Sequence, residues 1–341
     1  MKSLSNAGLL ASMVLLTACQ SSPPADPSLS RLTRYHLNYM QQQAGVLAGE
    51  LRQFSLDSQA YCQGEQPLPR VQQQWRRSFA GWTAQQGQVG GPLDEQDLIF
   101  AFQFWPDKKD VTGRQLRQQL NRAEQGQPVI PSGTSATLGA AEYLLYSELS
   151  REQRCLLLPA VGEQLRQQGD TLAAAWANEA DYPHRLNAML GQGQAGALAL
   201  ETRIIAQLAH RYDRLEKKLA LALNTVEHPR PYFAESWRSG QSLHFIRTGL
   251  QSLEQEYRQG GVRHHLQQKG LNRQAERLDD AFAKALARLP AGDSLANWLE
   301  GDSYAALLRF KLSLDQLGYQ LKQRLPEQLG LSLGFNATDG D

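Results

Sequence analysis

The stretch AGALALETRIIAQLAHRYDRLEKKLALALN, residues 195–224, decides the fold class. Ile204, Leu208, Tyr212, Leu215, Leu219 and Leu223 recur at intervals of three and four residues, the period that lays one apolar stripe along a helix. The same spacing continues downstream. After the stiff turn His228-Pro229-Arg230-Pro231, a second face is formed by Leu243, Ile246, Leu250, Leu253 and Tyr257. Residues 272–289 form a further helix, ended by Pro290-Ala291-Gly292. Residues 303–324 form the last, with Tyr304, Leu307, Leu308, Leu314, Leu317 and Leu321 on one side and Pro326 as its stop.

Upstream, residues 28–61 read as a long helix behind Pro27, with Leu32, Tyr35, Tyr39, Val46 and Leu51 apolar. Leu68, Val71, Trp75, Phe79, Trp82 and Val89 mark a second helical face, which Gly90-Gly91-Pro92 stops. Residues 94–104 fit a short buried helix and an extended run equally. Residues 112–125 are helical, 126–135 a loop, 138–148 a short apolar helix, and 150–178 one long helix capped by Ser150. Asp181-Tyr182-Pro183 reads as a break. These elements predict an all-α protein of two helical bundles, residues 28–185 and 186–330, followed by a flexible tail at 331–341.

Composition agrees with helix. Of 341 residues 41% are hydrophobic, and Leu, Ala, Gln and Arg outweigh the β-branched types. The chain carries 35 basic and 34 acidic residues, and loss of Lys2 with a leader leaves 34 of each. Such neutrality argues against nucleic acid as a partner. The N-terminus reads as an export signal over residues 1–18: Lys2 is its basic region, 7–16 its apolar run, and that run is too short to span a bilayer. Leu16-Thr17-Ala18-Cys19 resembles the bacterial lipobox. The resemblance implies cleavage before Cys19, a lipid on its sulfur, and a tether over 19–27 that holds a soluble body off the membrane. Gln20, where an aspartate would retain such a protein at the inner membrane, implies a periplasm-facing anchor in the outer membrane of a Gram-negative cell. With Cys19 lipidated, Cys62 and Cys155 remain, and in an oxidising compartment an even pair reads as a disulfide.

Chemistry concentrates in FWPDKKDVTGR, residues 104–114, and in GAAEYLL, residues 139–145. The first places aromatics, acids, lysines and an arginine between helices, where sites tend to lie. The second sets Glu142 among apolar neighbours, where a carboxylate requires a partner, and Arg76, Arg114 and Arg238 are candidates. Asp107 also suits a cap for the helix that follows, Trp105 suits a core position, and Lys108 and Lys109 suit solvent. No His-Glu-x-x-His pattern, Ser-His-Asp arrangement or phosphate-cradling loop is legible.

WRRSFAGW at 75–82, GPL at 91–93, FWPDKK at 104–109 with TGR at 112–114, EYLL at 142–145 and ESWRSGQS at 235–242 together resemble the imelysin family, in order, over about residues 30–325. The resemblance implies an all-α, exported, often lipid-anchored protein tied to iron uptake or iron regulation, with a peptidase-like branch. The family signature is Gly-x-His-x-x-Glu, whose His and Glu share a helix face and a metal. Here Thr137, Gly139 and Glu142 stand at those positions: the Glu is kept, the His is not. A glycine neither ligates a metal nor takes a proton.

The resulting expectation is a non-catalytic binding protein. Its site is formed by Trp105, Asp107, Arg114, Glu142, Arg238 and Ser239, with Glu142 the residue placed to contact iron or another divalent metal. Oxygen donors, Glu142 with Asp107 and Asp110, suit a hard cation such as ferric iron. The expected partners are the membrane through Cys19, an iron-related or anionic ligand, and a periplasmic or outer-membrane protein. A metallopeptidase, with His244 standing in for the lost histidine, and a purely structural lipoprotein are the alternatives.

Overall fold

The structure is a computed structural model that describes residues 26–333, apart from the side chain of Asp302. The leader, Cys19, most of the tether and the end of the tail lie outside the described residues. Everything described is helix, turn or loop: α1 Pro27–Gln63, α2 Leu68–Thr83, α3 Pro92–Glu95, α4 Leu98–Phe102, α5 Val111–Glu124, α6 Leu138–Tyr146, α7 Arg151–Cys155, α8 Leu158–Ala175, α9 Asp181–Met189, α10 Gly193–Leu223, α11 Ser242–Gln259, α12 Val262–Gln268, α13 Asn272–Arg288, α14 Gly301–Tyr319 and α15 Leu325–Leu329. The protein is all-α over these residues, and none of its helices is long and apolar enough to cross a membrane.

The stripe on α10 is buried as its spacing requires: Ile204, Leu208, Tyr212, Leu215, Leu219 and Leu223 all lie in the core. α1 begins at Pro27, whose missing N–H costs nothing in a first turn, and Asp26 Oδ1 accepts from Ser28 N at 2.8 Å. It packs along α8 on one side and α2 on the other. The approach to α8 is close enough to demand glycine: a Cβ on Gly169 would stand 2.9 Å from Leu51 Cδ1 and 3.2 Å from the Cα of Ala48. The apolar core runs without interruption from Leu29 to Leu331. Trp75, Phe79 and Phe245 join its earlier and later halves, with the Phe79 and Phe245 rings 4.3 Å apart across the α2–α11 contact. A polar joint crosses the same region. Arg211 on α10 pairs with Glu256 on α11, both sealed from water, and Arg211 Nη2 donates to Ser252 Oγ at 2.6 Å while Tyr39 Oη of α1 donates to the Ser252 carbonyl.

Several sequence expectations shift for physical reasons. α2 ends at Thr83, six residues before Val89, which is exposed. The ambiguous stretch 94–104 is helical in two short pieces, α3 and α4. The long helix expected over 150–178 is broken at Leu156–Leu157, because Pro159 has no N–H to give and suits only the first turn of a new helix, α8. Asp181-Tyr182-Pro183 starts α9, with Pro183 in its first turn. Pro326 does not stop the chain's last helix: a π-type turn over Gln320–Arg324 absorbs it, and α15 continues beyond.

The expected disulfide is present. Cys62, next to the end of α1, bonds Cys155, the last residue of α7, with Cα atoms 5.5 Å apart and a sequence separation of 93. A loop of that length loses most of its closure entropy in the unfolded chain, so the bond contributes about 2–5 kcal/mol. Replacing both cysteines by serine lowers the urea midpoint accordingly, while the far-ultraviolet helical signal of the folded protein is unchanged.

Candidate functional site

A cavity of about 310 Å³ opens where the connection from α4 to α5, the helix α6 and the loop between α10 and α11 meet. Each wall is held by its own local chemistry. In the first, Asp107 Oδ1 and Oδ2 accept from Val111 N and Thr112 N at 2.7 and 2.9 Å, capping α5 from outside its start. Asp110 then sits at φ +48°, with its carboxylate folded over Gly113, where any Cβ would overlap it. The second wall, α6, is fixed at its start by Thr137, whose hydroxyl accepts from Ala140 N, and by Trp75 Nε1, which donates to the Leu138 carbonyl at 3.0 Å. Gly139 and Glu142, one turn apart, thereby face the cavity together.

The third wall is a tight turn. Ser236 takes φ +54° and Gly240 φ +67°, and Gln241 N donates to the Ser236 carbonyl at 3.2 Å. This turn aims Ser239 N at Glu142 Oε1, 2.8 Å away. Beneath it Glu235 is buried with Lys218, Nζ to Oε2 2.7 Å. Glu235 Oε1 also accepts from Gln86 and Gln103 at 2.8 and 2.9 Å. Gln103 Oε1 in turn accepts from Trp82 Nε1 and Arg214. Burial pushes the Glu235 carboxyl up, but the Lys218 and Arg214 cations outweigh it and hold the group below its ordinary range.

Of the residues read from sequence, the structure brings Trp105, Asp107, Glu142 and Arg238 to the cavity's lining, with Ser239 touching Glu142 from the turn. Arg114 is not among them: it lies exposed on α5, away from the lining. Asp107 has both oxygens engaged by α5, so it shapes the wall. Glu142 makes no ion pair with an arginine among the described residues. Arg76 donates instead to Tyr146 Oη at 3.3 Å, and Arg238 Nη2 donates to Asp110 Oδ1 at 2.7 Å. His244 turns toward Asp293, 3.9 Å away, and is not in the lining.

Sequence reasoning missed Gln103, Tyr232, Phe233 and Ser236. The aromatic pair behind Pro229-Arg230-Pro231 was the available signal for two of them, and Ser236 lay inside the quoted ESWRSGQS stretch; Gln103 carried none. It also missed a polar chain far from the cavity, in which Ser28 Oγ lies 3.2 Å from His265 Nδ1 and His265 Nε2 2.7 Å from Glu201 Oε1, tying the start of α1 to α12 and α10.

Metal ligation does not fit these residues. Among the described residues no group of three or more His, Cys, Asp or Glu is arranged to hold an ion, and Gly139 offers no donor beside Glu142. What the arrangement supplies instead is a buried acid near neutrality. Burial pushes the Glu142 carboxyl up to about 7, against the lowering effects of the Ser239 hydrogen bonds and the Arg238 charge.

A carboxyl whose folded pKa is raised binds its proton more tightly in the folded state, so stability is greatest below the unfolded value, falls as pH rises toward 7, and is level above it. At 1.36 kcal/mol per unit the full penalty is about 3 kcal/mol. Glu142→Gln removes that slope: relative to wild type, the variant gains roughly this amount at pH 8 over its value at pH 4, as read from urea unfolding.

The family model described as Imelysin matches residues 40–321. An imelysin-like protein from Psychrobacter arcticum superposes with a TM-score of 0.77 at 16% identity, covering 92% of this chain and all of its own. A protein from Parabacteroides distasonis named as an iron-regulated protein A precursor superposes with a TM-score of 0.69 at 12% identity, covering 89% of this chain and 95% of its own. A comparison with curated proteins finds no match. With the family model spanning most of its length and the same helical architecture in both relatives, the chain belongs to the imelysin family.

Proposed function

We propose that this protein is a non-catalytic binding protein linked to iron uptake or iron regulation. It is exported, anchored in the outer membrane by a lipid on Cys19, and faces the periplasm as two helical bundles, 28–185 and 186–330. The observation that carries the reading is Gly139. Its backbone stands on the cavity wall one turn from Glu142, where the family signature places a histidine, and it leaves the carboxyl without a partner ligand. A metallopeptidase requires a metal-activated water and a base. This wall keeps a candidate for the base and omits the ligand that would hold the ion. The cavity itself, lined by aromatic rings and by Glu142 and Arg238, remains suited to capture. The name of the Parabacteroides relative supports the link to iron, as does membership of the family; an iron-related ligand or a periplasmic or outer-membrane protein would be the bound partner.

The wall has room for the missing ligand. A Cβ at Gly139 would meet nothing nearer than Thr137 Oγ1 at 3.6 Å. Gly139→His therefore places an imidazole beside Glu142 and raises zinc affinity over wild type, measured by competition with a chromogenic chelator on untagged protein. Wild type neither holds stoichiometric zinc nor cleaves casein in a chelator-sensitive way. Chelator-sensitive cleavage by wild type, lost in Glu142→Ala with the fold intact, overturns the reading in favour of a peptidase.

A further inference from the structure

The polar groups around the cavity divide into those already used and those left over, and the division has a sign. Asp107 spends both oxygens on α5. Asp110 spends Oδ1 on Arg238 and Oδ2 on Arg117. Glu142 takes the Ser239 N–H on Oε1, and its second oxygen, which carries the proton below about pH 7, is left over as a donor. The donors are less committed. Arg238 gives Nη2 to Asp110 and has its remaining N–H groups free of partners among the described residues, and Lys108 at the rim has none there either. Ser236 is 5% exposed, lines the cavity, and its hydroxyl is buried with no partner among the described residues. A buried hydroxyl left unpaired costs about 1–3 kcal/mol, so a ligand that satisfies it recovers that energy on binding.

Much of the rest of the lining is aromatic. Phe79, Phe104, Trp105, Tyr232, Phe233 and Trp237 line it, and the outer aromatic faces are backed by the protein's own cations: Arg214 lies 4.6 Å from the centre of the Trp105 ring and Arg238 4.4 Å from that of Trp237. Rings whose faces already hold guanidinium groups are poor cages for a further cation. They remain good partners for another ring, stacked or edge-on.

We propose that the cavity takes a small planar aromatic carboxylate, its acid group held by Arg238, Lys108 and the Ser236 hydroxyl and its ring lodged among the aromatic side chains. The proposal rests on the binding-protein reading above and names the class of ligand. The contacts are those for which guanidinium suits a carboxylate, two N–H groups meeting two oxygens in one plane. The volume of about 310 Å³ limits the body to a single ring system.

Calorimetric titration of the full-length mature protein with benzoate, benzylamine and inorganic phosphate separates the elements of the claim. Benzoate binds saturably. Benzylamine, the same ring with the charge reversed, and phosphate, a charge without the ring, bind at least about tenfold more weakly. Arg238→Met weakens benzoate roughly tenfold. Ser236→Ala and Lys108→Met, which leave the Arg238–Asp110 pair in place, each weaken it by a smaller factor, and unchanged melting midpoints exclude unfolding as the cause. Absence of saturable benzoate binding overturns the proposal, and so does benzoate affinity unchanged in all three variants. Benzylamine binding as tightly as benzoate also overturns it, while leaving the binding-protein reading standing; that reading fails separately, on casein cleavage.

Discussion

Lys218 on α10 and Glu235 on the loop that follows are each about 2% exposed, with Nζ and Oε2 2.7 Å apart, and the cavity's walls are built outward from this pair. Two charges taken out of water cost several kcal/mol each unless the geometry returns that cost, and here it is returned by more than the pair alone. Glu235 Oε1 accepts from Gln86 on the segment after α2 and from Gln103 at the end of α4. Gln103 also receives Trp82 Nε1 from α2 and Arg214 from α10. One carboxylate, with Gln103 as its relay, thus ties its own loop to α10, to the end of α2 and the segment after it, and to the end of α4. The turn 236–241 begins at the next residue, so the direction in which Ser239 N points is set by an anchor that water does not reach. Cutting that anchor leaves an uncompensated buried charge, which makes it a constraint on the whole site and not a local contact.

The second consequence concerns Glu142. A carboxyl in the core of α6 normally requires a full cation, yet here it receives one backbone N–H and a guanidinium that is already turned to Asp110. Its proton therefore leaves only around pH 7, so the group is partly neutral near neutral pH. A neutral acid beside a glycine is compatible with an apolar, ring-lined cavity in a way that a fixed carboxylate is not. Gly139 and the raised pKa of Glu142 are consistent with one another: with no side chain beside the carboxyl to stabilise the anion, burial dominates its protonation state.

Much of the fold was legible because helix periodicity is local. The α10 stripe, the α11 face and the cysteine pairing follow from residue type and spacing within a segment or from compartment chemistry; on α1 Leu32, Tyr39 and Leu51 are buried as read, but Tyr35 and Val46 are exposed. Three of the errors fall at prolines, and for a shared reason. Pro159, Pro183 and Pro326 each lack an N–H, which ends a helix only when an earlier turn is waiting for that donor; in a first turn the donor is not needed. Sequence gives the missing donor but not which turn it falls in.

The site was legible only where a residue's role is carried by its own segment. Trp105, Glu142 and Arg238 stand out in their own motifs and do converge, and the capping role of Asp107 follows from its place just ahead of a helix. Arg114 was misplaced because a helix presents its next residue about 100° away, so an arginine one step from the buried Gly113 points out of the wall that Gly113 shapes. Gln103 and the role of the Ser236 hydroxyl were hidden for a different reason. Neither type is unusual in a loop, and what makes them matter, a carboxylate from a segment 132 residues away in one case and a left-handed backbone that buries the hydroxyl in the other, exists only after the chain has folded. The functional content of this cavity therefore lies less in its conspicuous charged residues, most of which are spent on one another, than in the small number of donors that folding leaves unspent.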